Sequence, residues 1–180
     1  FPGRAAALRQ ELGRLDVDYL IGAVHSVGAF EVDAAPSSWA RLNPDERERV
    51  HRRYWTRLRS LAESGLFDIV AHLDLTKKNG YPPQEPIDDL VAPTLDAIAT
   101  AGLVVELNTA GWHKPIGDAY PDEHLLAECR RRDIPVTLSA DAHRPEDLLR
   151  DFDRGAERLR AAGYGEIARF RERRVTFDPL

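Results

Sequence analysis

A single cysteine, Cys129, occurs in the 180 residues, so no disulfide can close within the chain. That argues against a secreted scaffold stapled by disulfides, and a cytoplasmic setting fits. Methionine is absent altogether and the chain begins at Phe1, which implies a piece of a longer protein numbered from an internal point. No apolar run approaches the roughly 20 residues that cross a bilayer, and no signal-peptide pattern precedes the first predicted strand, so no membrane partner is expected. An excess of basic charge is lacking too: 25 Lys and Arg stand against 30 Asp and Glu, a net charge of -5. Nucleic-acid surfaces need a basic patch to offset phosphate charge, so no nucleic-acid partner is expected. The runs Arg52-Arg53, Arg130-Arg131-Arg132 and Arg173-Arg174 lie among acidic neighbours and read as solvated helix faces.

What is present is a chain with 43% hydrophobic residues, enough to bury one core, and residues 1–180 read as a single domain. Four times a run of β-forming residues ends in a metal-capable side chain. Leu20 to Val24 precedes His25, Phe67 to Ala71 precedes His72, Leu103 to Val105 precedes Glu106, and Ile134 to Ala140 precedes Asp141 and His143. Successive runs are separated by about the length of one strand, loop and helix. Parallel strands fed by such crossovers present their carboxyl ends on one edge of the sheet, where enzymes of this architecture build their sites. The four ends are therefore expected to converge.

Between the strands, helical spacing predicts helices over residues 4–14, from Pro44 to about Leu61, from Ile87 to Ile98, and from Pro121 to Arg132. Pro93 is expected to kink or restart the third of these, because it lacks a backbone donor. Residues 27–43 read as a long loop, and two final helices are expected at about 145–162 and 166–171, with a last short strand at 175–177. Strands alternating with helices mean a parallel α/β architecture; four clear units are fewer than a complete (βα) barrel needs.

Imidazoles and carboxylates at strand ends suit Zn, Mn or Fe. His25, His72, Asp141 and His143 are the candidate ligands. His51 and His124, on helices among charged neighbours, read as surface residues, and Cys129 as core.

The segments Ile21-Gly22-Ala23-Val24-His25, Ala71-His72-Leu73-Asp74-Leu75, Val105-Glu106-Leu107-Asn108-Thr109-Ala110-Gly111 and Ser139-Ala140-Asp141-Ala142-His143-Arg144 resemble successive motifs of the polymerase and histidinol phosphatase (PHP) superfamily. The likeness runs in order over nearly the whole chain and is greatest to the histidinol-phosphatase branch. It implies a distorted seven-stranded parallel barrel, incomplete in this chain, with up to three divalent metal ions. By position, His25 and His72 would hold one metal, Asp141 another and His143 the third, with Asp141 and His143 at the catalytic centre. The family's opening His-x-His, a further His and a bridging Glu would lie before Phe1-Pro2-Gly3. The chain would then be the C-terminal portion of the domain, completed by an N-terminal segment of the same protein.

The implied reaction is hydrolysis of a small phosphorylated substrate, histidinol phosphate, in histidine biosynthesis. Arg144 would grip the phosphate with paired donors and Lys114 would add a point charge. Glu106, Asp74, Trp112 and Trp39 are candidates for the substrate's ammonium and imidazole, although Glu106 and Asp74 equally suit orienting metal ligands. His113 stands where relatives often carry Arg, and Gly28-Ala29-Phe30 replaces a Gly-Asp-Trp pattern; both departures bear on substrate rather than metal. Lys77 and Lys78 read as ordinary turn residues outside the site. Two alternatives remain: a PHP nuclease or polymerase-associated phosphoesterase, which the acidic balance disfavours, and a non-catalytic PHP-like remnant.

Overall fold

The computed structural model describes residues 5–180. Helix α1 (Ala5–Leu12) precedes β1 (Ile21–Gly22), and β2 (Ser26–Val27) pairs antiparallel with β3 (Phe30–Glu31). Helix α2 (Pro36–Ala40) follows, so the segment expected to be a long loop carries a hairpin and a helical turn. Two features organise it. Gly28 takes φ 65 at the hairpin tip, and the wholly buried Trp39 donates its indole N–H to the Val32 carbonyl at 2.9 Å.

Helix α3 (Pro44–Ala62) begins where the composition predicts. Asn43 caps it in a reciprocal box with Glu46, and Val50, Tyr54, Leu58 and Leu61 bury one face. After β4 (Ile69–Val70), helix α4 (Asp88–Thr100) continues through Pro93 without restarting. Pro93 forgoes one hydrogen bond in the second turn, while Leu95 and Ile98 are completely buried behind it. Strand β5 (Val104–Asn108), helix α5 (Glu123–Arg131), strand β6 (Val136–Ser139) and helix α6 (Phe152–Ala161) complete the alternation.

The carboxyl-terminal expectation needs correction. Residues 145–147 form only a 3-10 turn, and helix α6 starts at Phe152 after Asp151 at φ 59. The segment expected to be a helix at 166–171 is strand β7 (Glu166–Arg171), joined by Glu172 and Arg173 at φ 49 and 63 to β8 (Arg174–Pro179). Two positive-φ residues match the twist of a tight hairpin, and six residues are too few for helical propensity to compete with a paired strand.

The main sheet is wholly parallel in the order β1, β4, β5, β6, with Ile21, Ile69 and Val104 in one register row. Its two faces alternate along each strand. Gly22 faces the helix layer, where a Cβ would lie 2.7 Å from the Phe67 ring. Ile21, Ile69, Glu106 and Thr137 line a cavity of about 510 Å³ on the opposite face. The hairpin β7–β8 lies across that face: Ala168 and Phe170 pack with Ile69 and Val104, and Arg173 N donates to Asp18 O at 2.9 Å. The described residues thus form an α/β fold on an open four-stranded parallel sheet, a barrel left incomplete.

Candidate active site

The carboxyl ends of β1, β4, β5 and β6 share one rim, as parallel pairing requires. His25 and His72 meet there edge to face, with ring centroids 5.0 Å apart. Both line a cavity of about 510 Å³, together with Glu106, Asp141 and His143. Lys114, Lys78, Asp33, Tyr120 and Ser139 complete much of its wall. Glu106, Ser139 and Asp141 also border the cavity on the face opposite the helix layer, so the two cavities adjoin at the rim.

Two of the strand-end residues sit in left-handed backbone: His72 at φ 26 and Asp141 at φ 47. Such conformations cost about 1–3 kcal/mol each and persist only where the surroundings impose them, and they gather at functional sites. At His72 the imposing contact is visible. Its amide donates to Glu106 Oε2 at 2.8 Å, and Tyr54 donates its hydroxyl to the His72 and Leu73 carbonyls at 3.3 and 3.2 Å. At Asp141 the amide donates to Ser139 Oγ at 3.1 Å.

His72 is buried and its Nδ1 has no hydrogen-bond partner among the described residues. Burial holds its pKa below the ordinary imidazole value; Glu106 and Asp141 pull upward and His25 pushes down. A neutral ring with a bare buried nitrogen is the state a metal ion takes. His143 Nδ1–H donates to the Asp141 carbonyl at 2.8 Å, which leaves Nε2 of an exposed ring free. The donor set therefore fits a divalent cation in kind. Among the described residues, however, no three His, Cys, Asp or Glu side chains are gathered closely enough to hold one ion.

The other expected residues divide. Lys114 lines the cavity; Glu106 does too, but its carboxylate is engaged by His72 N and, at 3.0 Å, by Asn108 Nδ2. Arg144 is exposed at the start of the 145–147 turn and does not line the cavity. Trp112 stands apart from the site: its ring lies beneath Arg154 at 4.0 Å and packs with Leu107, Leu126 and Leu159. Trp39 belongs to the core. Asp74 is buried, its carboxyl pushed up to about 6 by desolvation against the pull of Lys77, and it accepts from Asp122 N at 3.0 Å.

His51, expected at the surface, is buried between Trp39 and the Tyr81 carbonyl, to which Nε2–H donates at 2.8 Å. The helix pattern could not reveal this, because the residues that cover His51 come from other segments. His124 is exposed and Cys129 is completely buried, as expected. Lys78, set aside as a turn residue, is a wall of the cavity; its Nζ donates to the Asp33 carbonyl at 2.6 Å. Its place two residues before Gly80, on the loop that follows His72, was the available signal.

No protein-family model matches the chain. Among curated proteins it is 37% identical over 174 residues to a protein of Deinococcus radiodurans named "Probable histidinol-phosphatase", covering 97% of this chain and 65% of that one. It is 29% identical over 161 residues to histidinol-phosphatase of Bacillus subtilis, covering 78% of this chain and 59% of the relative. The chain thus spans less than two thirds of the length of these relatives. Its fold matches the crystal structure of histidinol phosphate phosphatase from Lactococcus lactis, a complex with Zn, L-histidinol and phosphate. The TM-score is 0.71 at 17% identity, over 97% of this chain and 67% of the other. In sequence and in fold, the chain resembles the histidinol-phosphatase branch of the PHP superfamily over nearly its whole length.

Proposed function

We propose that the chain carries part of the active site of a metal-dependent phosphomonoesterase that converts histidinol phosphate to histidinol and phosphate in histidine biosynthesis. The observation that carries this reading is the convergence of His25, His72, Asp141 and His143 on one cavity wall, from segments far apart in sequence. The likeness to histidinol-phosphatases supports the substrate, and the zinc of the Lactococcus complex supports a divalent ion.

His25, His72, Asp141 and His143 would hold Zn, Mn or Fe, up to three ions with further donors from outside this set. When bound, such ions lower the pKa of a coordinated water and neutralise charge on the departing alkoxide. The chain's own groups do the rest. Lys78 and Lys114 line the cavity as ammonium donors for the phosphate, with Arg144 next to His143 in sequence available from the rim. Glu106 fixes the backbone that presents His72. Asp33 lines the same wall, its carboxylate 3.4 Å from His25 Nδ1.

The test is phosphate release from histidinol phosphate by the metal-loaded protein, beside a nucleoside monophosphate and single-stranded DNA. Preference for histidinol phosphate is expected; faster turnover of DNA would replace the reading with a nuclease. A second reading, a non-catalytic PHP-like domain, is favoured by the absence of three gathered donors among the described residues. Absence of bound metal after loading would select it.

A further inference from the structure

We propose that Asp33 is a positioning residue for His25: its carboxylate selects the ring tautomer that leaves Nε2 free to take a cation. This rests on the metal-site reading above and adds a residue that the strand-end pattern did not single out. Asp33 Oδ2 stands 3.4 Å from His25 Nδ1. An ionised carboxylate only accepts, so the contact favours a proton on Nδ1 and a lone pair on Nε2.

At 3.4 Å the pair is longer than a formed hydrogen bond, and both side chains are partly exposed. What makes the pairing directional is the backbone around Asp33. Val32 N donates to His25 O at 2.8 Å, so the chain returns to the histidine it left. Trp39 Nε1 holds the Val32 carbonyl at 2.9 Å from within the core. From the loop after His72, Lys78 Nζ donates to Asp33 O at 2.6 Å and Asn79 Nδ2 to Ala34 O at 3.0 Å. With Asp33 strapped from the strand, the core and the opposite loop, the remaining gap is within the reach of side-chain rotation. A carboxylate behind a ligating imidazole fixes the ring and strengthens it as a donor, an effect worth about 10- to 100-fold in metal affinity.

The test is long-range proton–nitrogen NMR of the metal-free protein labelled with ¹⁵N-histidine. It is run at about pH 8.5, roughly two units above the ordinary imidazole value, so that exposed rings are neutral. The His25 signals are assigned by their loss in His25→Gln. We expect Nδ1 protonated and Nε2 bare in the parent, mixed tautomers in Asp33→Ala, and recovery in Asp33→Glu. Zn²⁺ affinity should fall about 10- to 100-fold in Asp33→Ala. A parent ring protonated at Nε2, or the same tautomer in the parent and Asp33→Ala, would overturn the proposal. Unchanged Zn²⁺ affinity in His25→Gln would instead defeat the metal-site reading, with the tautomer still judging Asp33.

Discussion

The His72 amide donates to the Glu106 carboxylate at 2.8 Å, and the same oxygen accepts from Asn108 Nδ2 at 3.0 Å. One buried carboxylate thus joins the end of β4 to β5 and holds a candidate ligand in left-handed backbone. Glu106→Ala would leave a buried amide N–H and a buried side-chain amide unpaired. A loss of about 1–3 kcal/mol is expected in urea unfolding. An unchanged midpoint would mean that His72 keeps its position without Glu106.

Asp141 offers a cleaner separation of chemistry from folding. At φ 47 it occupies a conformation that asparagine also tolerates, so Asp141→Asn should unfold within about 0.5 kcal/mol of the parent. Turnover of histidinol phosphate should nevertheless drop by at least about 100-fold, because a charged donor is removed. Full activity in that variant would take Asp141 out of the mechanism.

Stability should depend on pH through His51. Burial lowers its pKa below the ordinary imidazole value of 6.5, partly offset by the Tyr81 carbonyl and Glu48. The unfolded chain therefore binds the proton more readily, and the stabilisation present above about 6.5 is lost as pH falls toward the folded value. Asp74 acts with the opposite sign: its folded pKa of about 6 exceeds the ordinary carboxyl value of 3.8, so its contribution falls as pH rises through that window. Across urea midpoints from pH 5 to 8, approximate limits around the imidazole range, His51→Gln should lose less stability toward the acid end than the parent, because only the opposing Asp74 contribution remains. Parallel profiles would contradict the burial of His51.

Gly111 is required by space. A Cβ there would lie 2.1 Å from the Asp118 carbonyl oxygen and 2.9 Å from the Tyr120 ring. Backbone is the obstacle, so Gly111→Ala should cost at least about 1–3 kcal/mol, read as a lowered thermal midpoint. Because Asn108 and Tyr120 bridge beside it and Lys114 follows it, the KM for histidinol phosphate should rise as well.

Trp112 predicts the contrary result. Since its ring packs under Arg154 rather than on the cavity, Trp112→Phe should leave the KM for histidinol phosphate unchanged and cost stability of about 0.5–1 kcal/mol. A large KM change with normal folding would return Trp112 to the substrate.

By itself the sequence determined the alternation of the four sheet strands with helices, their parallel pairing, and which side chains would stand at strand ends. Those features follow from local periodicity and from the geometry of a crossover, and His25, His72, Asp141 and His143 were legible for that reason. The helix expected at 166–171 shows where local reading stops, because the pairing of β7 with β8 and its packing on Ile69 and Val104 outweigh a six-residue preference. Only the tertiary structure decided that His51 is core, that Trp112 turns away from the cavity, and that Lys78 and Asp33 are bound to each other across it. Each of those facts depends on contacts between segments tens of residues apart, and such contacts leave no period in the chain.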